Sequence, residues 1–535
     1  MSTAVTASTE LKAQGNSLFA KKDFIGAFNK YSAAIDQDPT NAILYANRTA
    51  CSLNLQKYFD CADDCRKAIE IDPGYSKAWG RLATAQDAIG NPSLEAWSKA
   101  LETLPGENLS PGELRQKEQY EEGLRLAKEK FENVSTRLVP VALRPDQLPW
   151  TRAVALMPEL IANQQDSSAW VILKAYQEFS EGVKTMKLVK RVEQVGQRTV
   201  IVGIPNALSN LSNGILRDRR VFHIDGPKWI TNFTDQMLLE ALEYNAWDRG
   251  DAASVIEQAQ ARQREKGWKA TRRALSCTIR GWIMRGFFEN GLKNNEQALK
   301  FYGWALEVLD WGRKAWKDVP SEDRGAIFES SVARGVRVLH MNTYMQAWSP
   351  DLGEDQPYSL EELLEEADDI IRDVDNNPLD PRQTYDPGFV LSFTSYPRGT
   401  ALAVKGYCHA EMAALVDDDG DEDDESSPRH EHYVKSAEYY VQAGSSLPED
   451  DEDHAWFLNC ALQKFWLCGA PLRVTLPIMK RIRLAIPKMK RIWENSPPFA
   501  KREPSYQQTM RVEKDALEGI EEGKYTLTDV MNLSH

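Results

Sequence analysis

Residues 8–41 read STELKAQGNSLFAKKDFIGAFNKYSAAIDQDPTN, and their pattern returns twice before residue 107. In this first unit Gly, Ala, Tyr, Ala and Pro stand at positions 8, 20, 24, 27 and 32 of a 34-residue period. Small residues at fixed positions let two antiparallel helices approach closely, and an aromatic ring fills the space between them. Proline ends the second helix of each unit, at Pro39, Pro73 and Pro105. The stretch therefore predicts stacked helical hairpins.

The later units keep the period with substitutions. In the second unit Tyr45 and Ala68 hold positions 4 and 27, while Cys61 and Cys65 occupy positions 20 and 24. In the third, Trp79 holds position 4, and the second helix arrives two residues early. After the third proline, a long helix with one polar face would cover the open end of the array. We expect repeats over 8–41, 42–75 and 76–107, and a capping helix over 111–131.

Five polar residues fall on the first helix of each hairpin: Lys12, Asn16, Asn47, Lys77 and Arg81. Their spacing along the chain is 4, 31, 30 and 4 residues. Residues four apart share one face of a helix, and the first helices line the concave side of such an array. Three cations and two amides with no acid among them predict a site for anions, because these groups supply charge and hydrogen-bond donors.

The hairpins resemble tetratricopeptide repeats (TPR). The pattern K-x-x-x-N, N-R and K-x-x-x-R resembles the two-carboxylate clamp of co-chaperone TPR domains of the Hsp70–Hsp90 organising protein type. This resemblance covers residues 8–131 only. It implies that Lys12, Asn16, Asn47 and Lys77 hold the terminal aspartate of a Glu-Glu-Val-Asp tail, and that Arg81 reaches a carboxylate or carbonyl beside it. The implied partners are the C-terminal tails of Hsp70, Hsp90 or both.

Three apolar residues lie about one helical turn from clamp positions. Phe19, Ala50 and Leu53 are the candidates for a pocket under the valine of such a tail. Which chaperone is preferred depends on contacts upstream of the terminal aspartate, and the sequence leaves that choice open. The function predicted for the chain is a non-catalytic co-chaperone or adapter whose second domain binds another partner or client.

Composition sets limits on the class of protein. A net charge of −14 makes general nucleic-acid binding unlikely. Seven cysteines show no C-x-x-C spacing, and no run of 18 apolar residues predicts a membrane span. These features predict a cytoplasmic protein, with the nucleus left open. Residues 1–7 are expected to be a disordered lead-in.

The remaining chain predicts more helical pairs. Residues 134–170 are rich in proline and predict a hinge, and residues 171–535 predict a larger α-helical, TPR-like domain. Within it Gly286 and Tyr302 stand at positions 8 and 24 of another unit. Gly406 and Tyr440 stand in the same relation, with an acidic, disordered insertion at about 417–430 between their helices. The fold class expected is all-α, with at most a small β-hairpin formed by 198–205 and 219–227.

Two other functions stay open. One is an enzyme within 140–535 that the TPR domain targets, and Ser209, His223 and Asp225 are its only candidate group. The other is a scaffold that uses the basic helix 478–493 to bind nucleic acid or a membrane surface. No phosphate-binding loop, zinc-protease motif or nucleophile elbow occurs, so we expect no catalytic residue and no cofactor.

Two minor features accompany the acidic insertion. His430 and His432 are a weak metal signal on their own, so we expect no metal site. Ser426 and Ser427 lie beside the acidic run and are candidate sites for an acid-directed kinase.

Overall fold

The computed structural model divides into two compact units, residues 1–138 and 139–535. It describes every residue except 1, 56, 89–92, 107–108, 138–143, 164, 195–197, 227, 248–249, 353–355, 381, 417–426 and 532–535. The predicted all-α class is confirmed. In the described part of the chain one two-stranded sheet accompanies the helices. No helix among the described residues has the length and apolar character needed to cross a bilayer.

The first unit consists of helices that pair in sequence order. The helices are α1 (Ser2–Ala20), α2 (Phe24–Gln37), α3 (Ala42–Asn54), α4 (Tyr58–Ile71), α5 (Ser76–Ala88), α6 (Leu94–Glu102) and α7 (Pro111–Arg137). Side-chain caps begin α2 and α3, where Asp23 accepts from the N–H of Gly26 and Asn41 from that of Ile43. The expected disordered lead-in is wrong from Ser2 onward, because α1 begins there. Ser8 is buried and donates to the carbonyl of Ala34 at 3.3 Å.

The second unit is larger and also mostly helical. Its elements are α8 (Pro149–Asn163), α9 (Ser168–Met186), β1 (Lys190–Gln194), β2 (Arg198–Val202), α10 (Ala207–Arg217), α11 (Trp229–Tyr244), α12 (Ala252–Gly291), α13 (Asn295–Ala315), α14 (Ser321–Arg324), α15 (Ser330–Ala347), α16 (Leu360–Asn376), α17 (Pro387–Val390), α18 (Tyr396–Leu415), α19 (Pro428–Ser445), α20 (Glu452–Leu467), α21 (Leu472–Trp493) and α22 (Pro497–Glu521). Helix α12 contains a kink at Gly267, whose φ of 73° suits glycine.

A glycine against a tyrosine ring marks three of the helical pairs. A Cβ added to Gly15 would lie 2.7 Å from the ring of Tyr31, and one added to Gly286 would lie 2.7 Å from that of Tyr302. The same contact joins Gly406 of α18 to Tyr440 of α19 at 2.8 Å. These three glycines stand at position 8 of the 34-residue period. The period therefore predicts the same type of packing contact in both units.

The predicted proline-rich hinge over 134–170 is largely wrong. Residues 149–163 form α8, which begins with Pro149 in its first turn and buries Trp150 against Tyr176 of α9, with ring centroids 4.8 Å apart. Proline is tolerated in the first turn of a helix because its missing N–H would be unpaired there. Pro140, the first proline of the predicted hinge, lies outside the described residues.

The predicted hairpin pairs the wrong strands. β2 matches the predicted run 198–205, but its partner is β1, in antiparallel register with Val192 opposite Val200. The expected second strand, 219–227, begins instead as a short 3₁₀ turn over Arg219–Val221. Arg220 holds that turn because it bonds to the buried carboxylates of Asp218 and Asp451.

Candidate peptide-binding groove

The five predicted clamp residues lie on the first helix of each hairpin in the first unit. Lys12 and Asn16 are on α1, Asn47 is on α3, and Lys77 and Arg81 are on α5. Hydrogen bonds among the described residues join Asn16 to Asn47, and Arg81 to α3, the helix that carries Asn47. The positions of the two lysines relative to each other stay a prediction.

The amide of Asn16 is held in one orientation. The hydroxyl of Tyr31 donates to Asn16 Oδ1 at 2.8 Å, and Asn47 Nδ2 donates to the same oxygen at 3.4 Å. Because its oxygen already accepts two hydrogen bonds, Asn16 presents its own Nδ2 donors to a ligand. Asn47 uses one of its two amide hydrogens in this contact and keeps the other. The pair therefore offers donors, which an anion requires.

Sequence reasoning missed the role of Tyr31. It was expected only to fill space beside Gly15, yet its buried hydroxyl orients the clamp amide. Burial is the main cause that raises the pKa of Tyr31 to about 12, and the nearby Cys51 adds to it. The hydroxyl therefore keeps its proton, and remains a donor, throughout the neutral range. The sequence signal that could have predicted this role is position 24 of the period, because a residue at that position places its ring against α1.

Arg81 joins α5 to α3. Its Nη1 donates to the carbonyl of Ala46 and lies 3.4 Å from Oγ1 of Thr49, both on α3. The side chain is half-buried, so its position is set by backbone and side-chain acceptors of the neighbouring repeat. Arg81 thus places a fixed positive charge on the helix next to Asn47, and within the described residues its other guanidinium N–H groups have no acceptor.

Lys12 and Lys77 supply two of the three positive charges of the predicted clamp. Among the described residues neither forms an ion pair, and Lys77 is exposed. Glu113, at the start of α7, interacts electrostatically with Lys77. Hydrogen bonds from the Ser110 hydroxyl and backbone N–H lower the pKa of Glu113, and the charge of Lys77 lowers it further. Since Ser110 holds that carboxylate at 2.6 and 2.8 Å, it forms no ion pair with Lys77, whose charge remains available to an external anion.

Arg48, the arginine that follows Asn47, points to a different partner. Its guanidinium bonds to both carboxylate oxygens of Asp64 at 2.7 Å and lies over the ring of Phe28 at 5.3 Å. This bidentate pair joins α3 to α4. Arg48 is therefore a structural residue of the repeat.

The predicted apolar pocket is only partly assembled by the described contacts. Phe19 is half-buried beside Tyr31 and Cys51, and its ring lies 5.3 Å from that of Phe24. Leu53 packs instead with the cluster of the second and third repeats, and Ala50 is half-buried. The three residues stay candidates for an apolar contact with a ligand.

The candidate hydrolase residues do not face one another. His223 Nδ1 lies 2.9 Å from the carbonyl of Val221, and its ring stacks on Trp150 at 4.9 Å. Burial lowers the pKa of His223. Asp225 pairs with Lys187 at 2.5 Å, and the carbonyl of Ser209 accepts from Arg280 at 3.3 Å. Each residue has a separate structural partner, so this region gives no support to the enzyme hypothesis.

The basic helix 478–493 is α21, and its cations are largely paired within the second unit. Arg483 bonds to the buried Glu513 at 2.8 Å, and Arg491 to Glu159 at 2.5 Å. Lys488 pairs with Glu449, Lys490 with Glu503, and Arg481 donates to Ser445. An amphipathic helix with a basic face explains these residues, and most of the charges that the nucleic-acid or membrane interpretation requires are already paired.

The region of the acidic insertion is described only at its edges. Asp417–Glu425 and Ser426 lie outside the described residues. Ser427 begins α19 and accepts from the N–H of His430, so the predicted insertion ends earlier than residue 430. His432 Nδ1 lies 3.0 Å from Nδ1 of His409. In the part of the chain that the structure describes, no group of three or more His, Cys, Asp or Glu is arranged to hold a metal ion.

Comparison with known proteins finds TPR proteins. The Saccharomyces cerevisiae small glutamine-rich tetratricopeptide repeat-containing protein 2 is 42% identical over 125 residues, which are 22% of this chain and 36% of that protein. The Schizosaccharomyces pombe heat shock protein sti1 homolog is 40% identical over 82 residues, 15% of this chain and 14% of that protein. The crystal structure of the Sgt2 TPR domain from Aspergillus fumigatus is 30% identical, covers 26% of this chain and 88% of that one, and has a TM-score of 0.22.

No protein-family model matches the chain. The chain spans 36% or less of the length of the two protein relatives given above. The predicted resemblance of the N-terminal region to TPR co-chaperones is confirmed by these relatives.

Proposed function

We propose that the first unit is a carboxylate clamp for the acidic C-terminal tail of a heat-shock chaperone, Hsp70, Hsp90 or both. The observation that carries the proposal is the fixed amide of Asn16, whose oxygen is occupied by Tyr31 and Asn47. The first helices also carry Lys12 and Lys77, which form no ion pair among the described residues, and the anchored guanidinium of Arg81. A site of donors and cations without a free acid fits a ligand with two carboxylates.

A free C-terminal aspartate carries two carboxylates within one residue, which explains why several donors are needed together. The similarity to a yeast tetratricopeptide repeat protein and to a heat shock protein sti1 homolog supports a TPR domain with a role among heat-shock proteins. In this proposal the protein is a non-catalytic adapter of the cytoplasm, and its second unit binds another partner or client.

The test compares two forms of one peptide. The full chain is titrated with a Glu-Glu-Val-Asp peptide that ends in a free carboxylate and with the same peptide ending in an amide. We expect the amide to bind at least about tenfold more weakly, because it removes one of the two carboxylates that the donors hold. Equal affinity for the two peptides would contradict the proposal.

A substitution in the groove gives the second measurement. Lys77 is exposed in the free chain, and the proposal places it in a charge pair that the bound peptide buries. Lys77→Ala is therefore expected to weaken binding of the free-carboxylate peptide by about 2–5 kcal/mol, the usual cost of removing one partner from such a pair. Lys99→Ala is the matched control, since Lys99 lies on α6 and pairs with Glu102 at 2.7 Å. A loss of the same size in both variants would show that the groove is not the site.

A further inference from the structure

Exposed lysines and two half-buried tryptophans occur together where the end of α13 lies beside the kink in α12. Trp268 follows the kink at Gly267, and Trp316 caps the end of α13. Because the two helices are antiparallel, the end of α13 lies beside the kink in α12, and the indole rings lie 4.9 Å apart at 85°. We call the region the tryptophan–lysine surface and define it by six residues: Lys266, Trp268, Lys269, Lys314, Trp316 and Lys317.

The four lysines of this surface are all exposed. None of them forms an ion pair within the described part of the chain. Residues 262–273 contain six Lys or Arg and one Glu, and residues 311–318 contain three Lys or Arg and one Asp. The acids nearest in sequence are Glu265 and Asp318, and neither pairs with these lysines. A chain of net charge −14 therefore carries a concentrated positive region here.

The tryptophans add donors and apolar area. Both rings are half-buried, and among the described residues no acceptor bonds to the indole N–H of Trp268 or Trp316. Indole is a donor only, and so is the lysine ammonium group. The surface therefore offers donors and apolar ring edges but no acceptor of its own among these six side chains. Its complement is a ligand rich in anionic acceptors that also carries an apolar group.

The cations of the basic helix α21 differ from these lysines because most of them are paired with acids. Arg483, Lys488 and Arg491 are paired with Glu513, Glu449 and Glu159. Those cations contribute to the fold of the second unit. The lysines of the tryptophan–lysine surface have no such role, so their charge remains available for a partner.

We infer that the tryptophan–lysine surface binds a short acidic segment of a partner protein, with an aromatic or aliphatic side chain of that segment against Trp268 and Trp316. A long nucleic acid or an anionic bilayer would extend beyond the patch and meet the negative remainder of the chain. At physiological salt, charges interact over only about 8 Å. A short segment bound at the surface is therefore attracted by the lysines and is screened from the negative charges elsewhere on the chain. The rings also contact each other edge to face, which leaves no stacked platform for bases. This site lies outside the clamp of the first unit.

The experiment uses the full chain and a fluorescent peptide of Asp and Glu with a central Phe. The peptide ends in an amide, so that the carboxylate clamp has no terminal ligand. The test variant is Lys269→Glu with Lys317→Glu, and its control is Lys480→Glu, an exposed lysine of α21 without an ion-pair partner among the described residues. We expect the test variant to bind about tenfold more weakly and the control to bind like wild type.

Further measurements separate this site from the clamp and from other partners. Lys77→Ala should leave binding of the amidated peptide unchanged, while added salt should weaken it. The charge-reversal variant should fold, because both substitutions are at exposed lysines. Thermal melting checks this. Equal binding by test variant, control and wild type would overturn the inference. So would tighter binding of a single-stranded oligonucleotide or of phosphatidylserine vesicles than of the peptide, when that binding is lost in the test variant.

Discussion

At the scale of single residues, the hydroxyl of Tyr31 determines how Asn16 meets a ligand. Replacing Tyr31 with Phe removes the donor at 2.8 Å and leaves Asn16 Oδ1 with the longer contact from Asn47. The amide can then rotate and present its oxygen to the ligand carboxylate. We expect Tyr31→Phe to weaken binding of the free-carboxylate tail peptide by about 1 kcal/mol, measured by calorimetric titration of the full chain.

Tyr45→Phe is the control for that substitution. The hydroxyl of Tyr45 donates to the carbonyl of Pro39 at 3.2 Å, in the loop before α3 and away from the clamp amides. Its removal should leave the affinity for the tail peptide unchanged. If both variants bound like wild type, the orientation of Asn16 would not depend on Tyr31.

His409 gives a prediction about pH. Burial is the first cause that lowers the pKa of this histidine to about 4, and the charge of His432 is the second. In the unfolded chain the pKa of the same histidine is about 6.5, which is well above its pKa in the folded chain. The unfolded state therefore gains protons first on acidification, and the folding free energy that depends on neutral His409 is lost from about pH 6.5 down to about pH 4.

The corresponding experiment compares unfolding by urea at pH 7 and pH 5. Between these values His409 should cost the wild type about 1 kcal/mol, after a reduction for the partial exposure of its ring. We expect His409→Gln to lose less stability than wild type on acidification by about that amount. His430→Gln is the control, because no hydrogen bond of its ring occurs among the described residues. An identical pH response of wild type and His409→Gln would refute the prediction.

At the scale of elements, the α12–α13 pair provides a matched test of the glycine–tyrosine contact. In Gly286→Ala the new methyl group would lie 2.7 Å from the ring of Tyr302, which is fully buried and cannot move aside freely. We expect this variant to be destabilised by about 1–3 kcal/mol, as other overpacked cores are. Chemical unfolding monitored by circular dichroism would measure it.

Gly303→Ala is the control on the neighbouring helix. Gly303 is within α13, and a Cβ placed there meets nothing within 4 Å. Alanine favours a helix over glycine, so this variant should be stabilised by up to about 1 kcal/mol. If both substitutions shifted stability in the same direction, the close approach at Gly286 would not control the pair.

The two hairpin strands show what a local pattern does not reveal. The β-branched run of β2 was visible in the sequence, but β1 contains a single Val among polar residues. Its position depends on a tertiary contact, since Arg191 of β1 pairs with Asp235 of α11 at 2.8 Å. The chain after β2 is held by the same helix, where Gln236 donates to the carbonyl of Ile204 at 2.8 Å. The local sequence pattern of β1 contains no signal for the pair with Asp235.

At the scale of the whole molecule, the 34-residue period predicted the helical class and placed the clamp residues on their helices. It did not predict which cations keep their charge available. The basic helix α21 has an obvious basic face in sequence, yet Arg491 pairs with Glu159, which is 332 residues away. Each of Trp268 and Trp316 has lysines beside it in the sequence, but neither segment shows a motif, and only the packing of α12 against α13 brings the two segments together.

An adapter must bind two ligands at the same time. The two proposed sites can therefore be tested together by measuring whether both peptides bind one chain at once. The clamp and the tryptophan–lysine surface are in different compact units and share no residue. We therefore expect the full chain to bind the free-carboxylate tail peptide with the same affinity, within about twofold, whether or not the amidated acidic peptide is saturating. Two fluorescent labels of different colour would report both peptides in one titration. Displacement of one peptide by the other would mean that both occupy a single basic site, and the chain could not then bridge two partners through these surfaces.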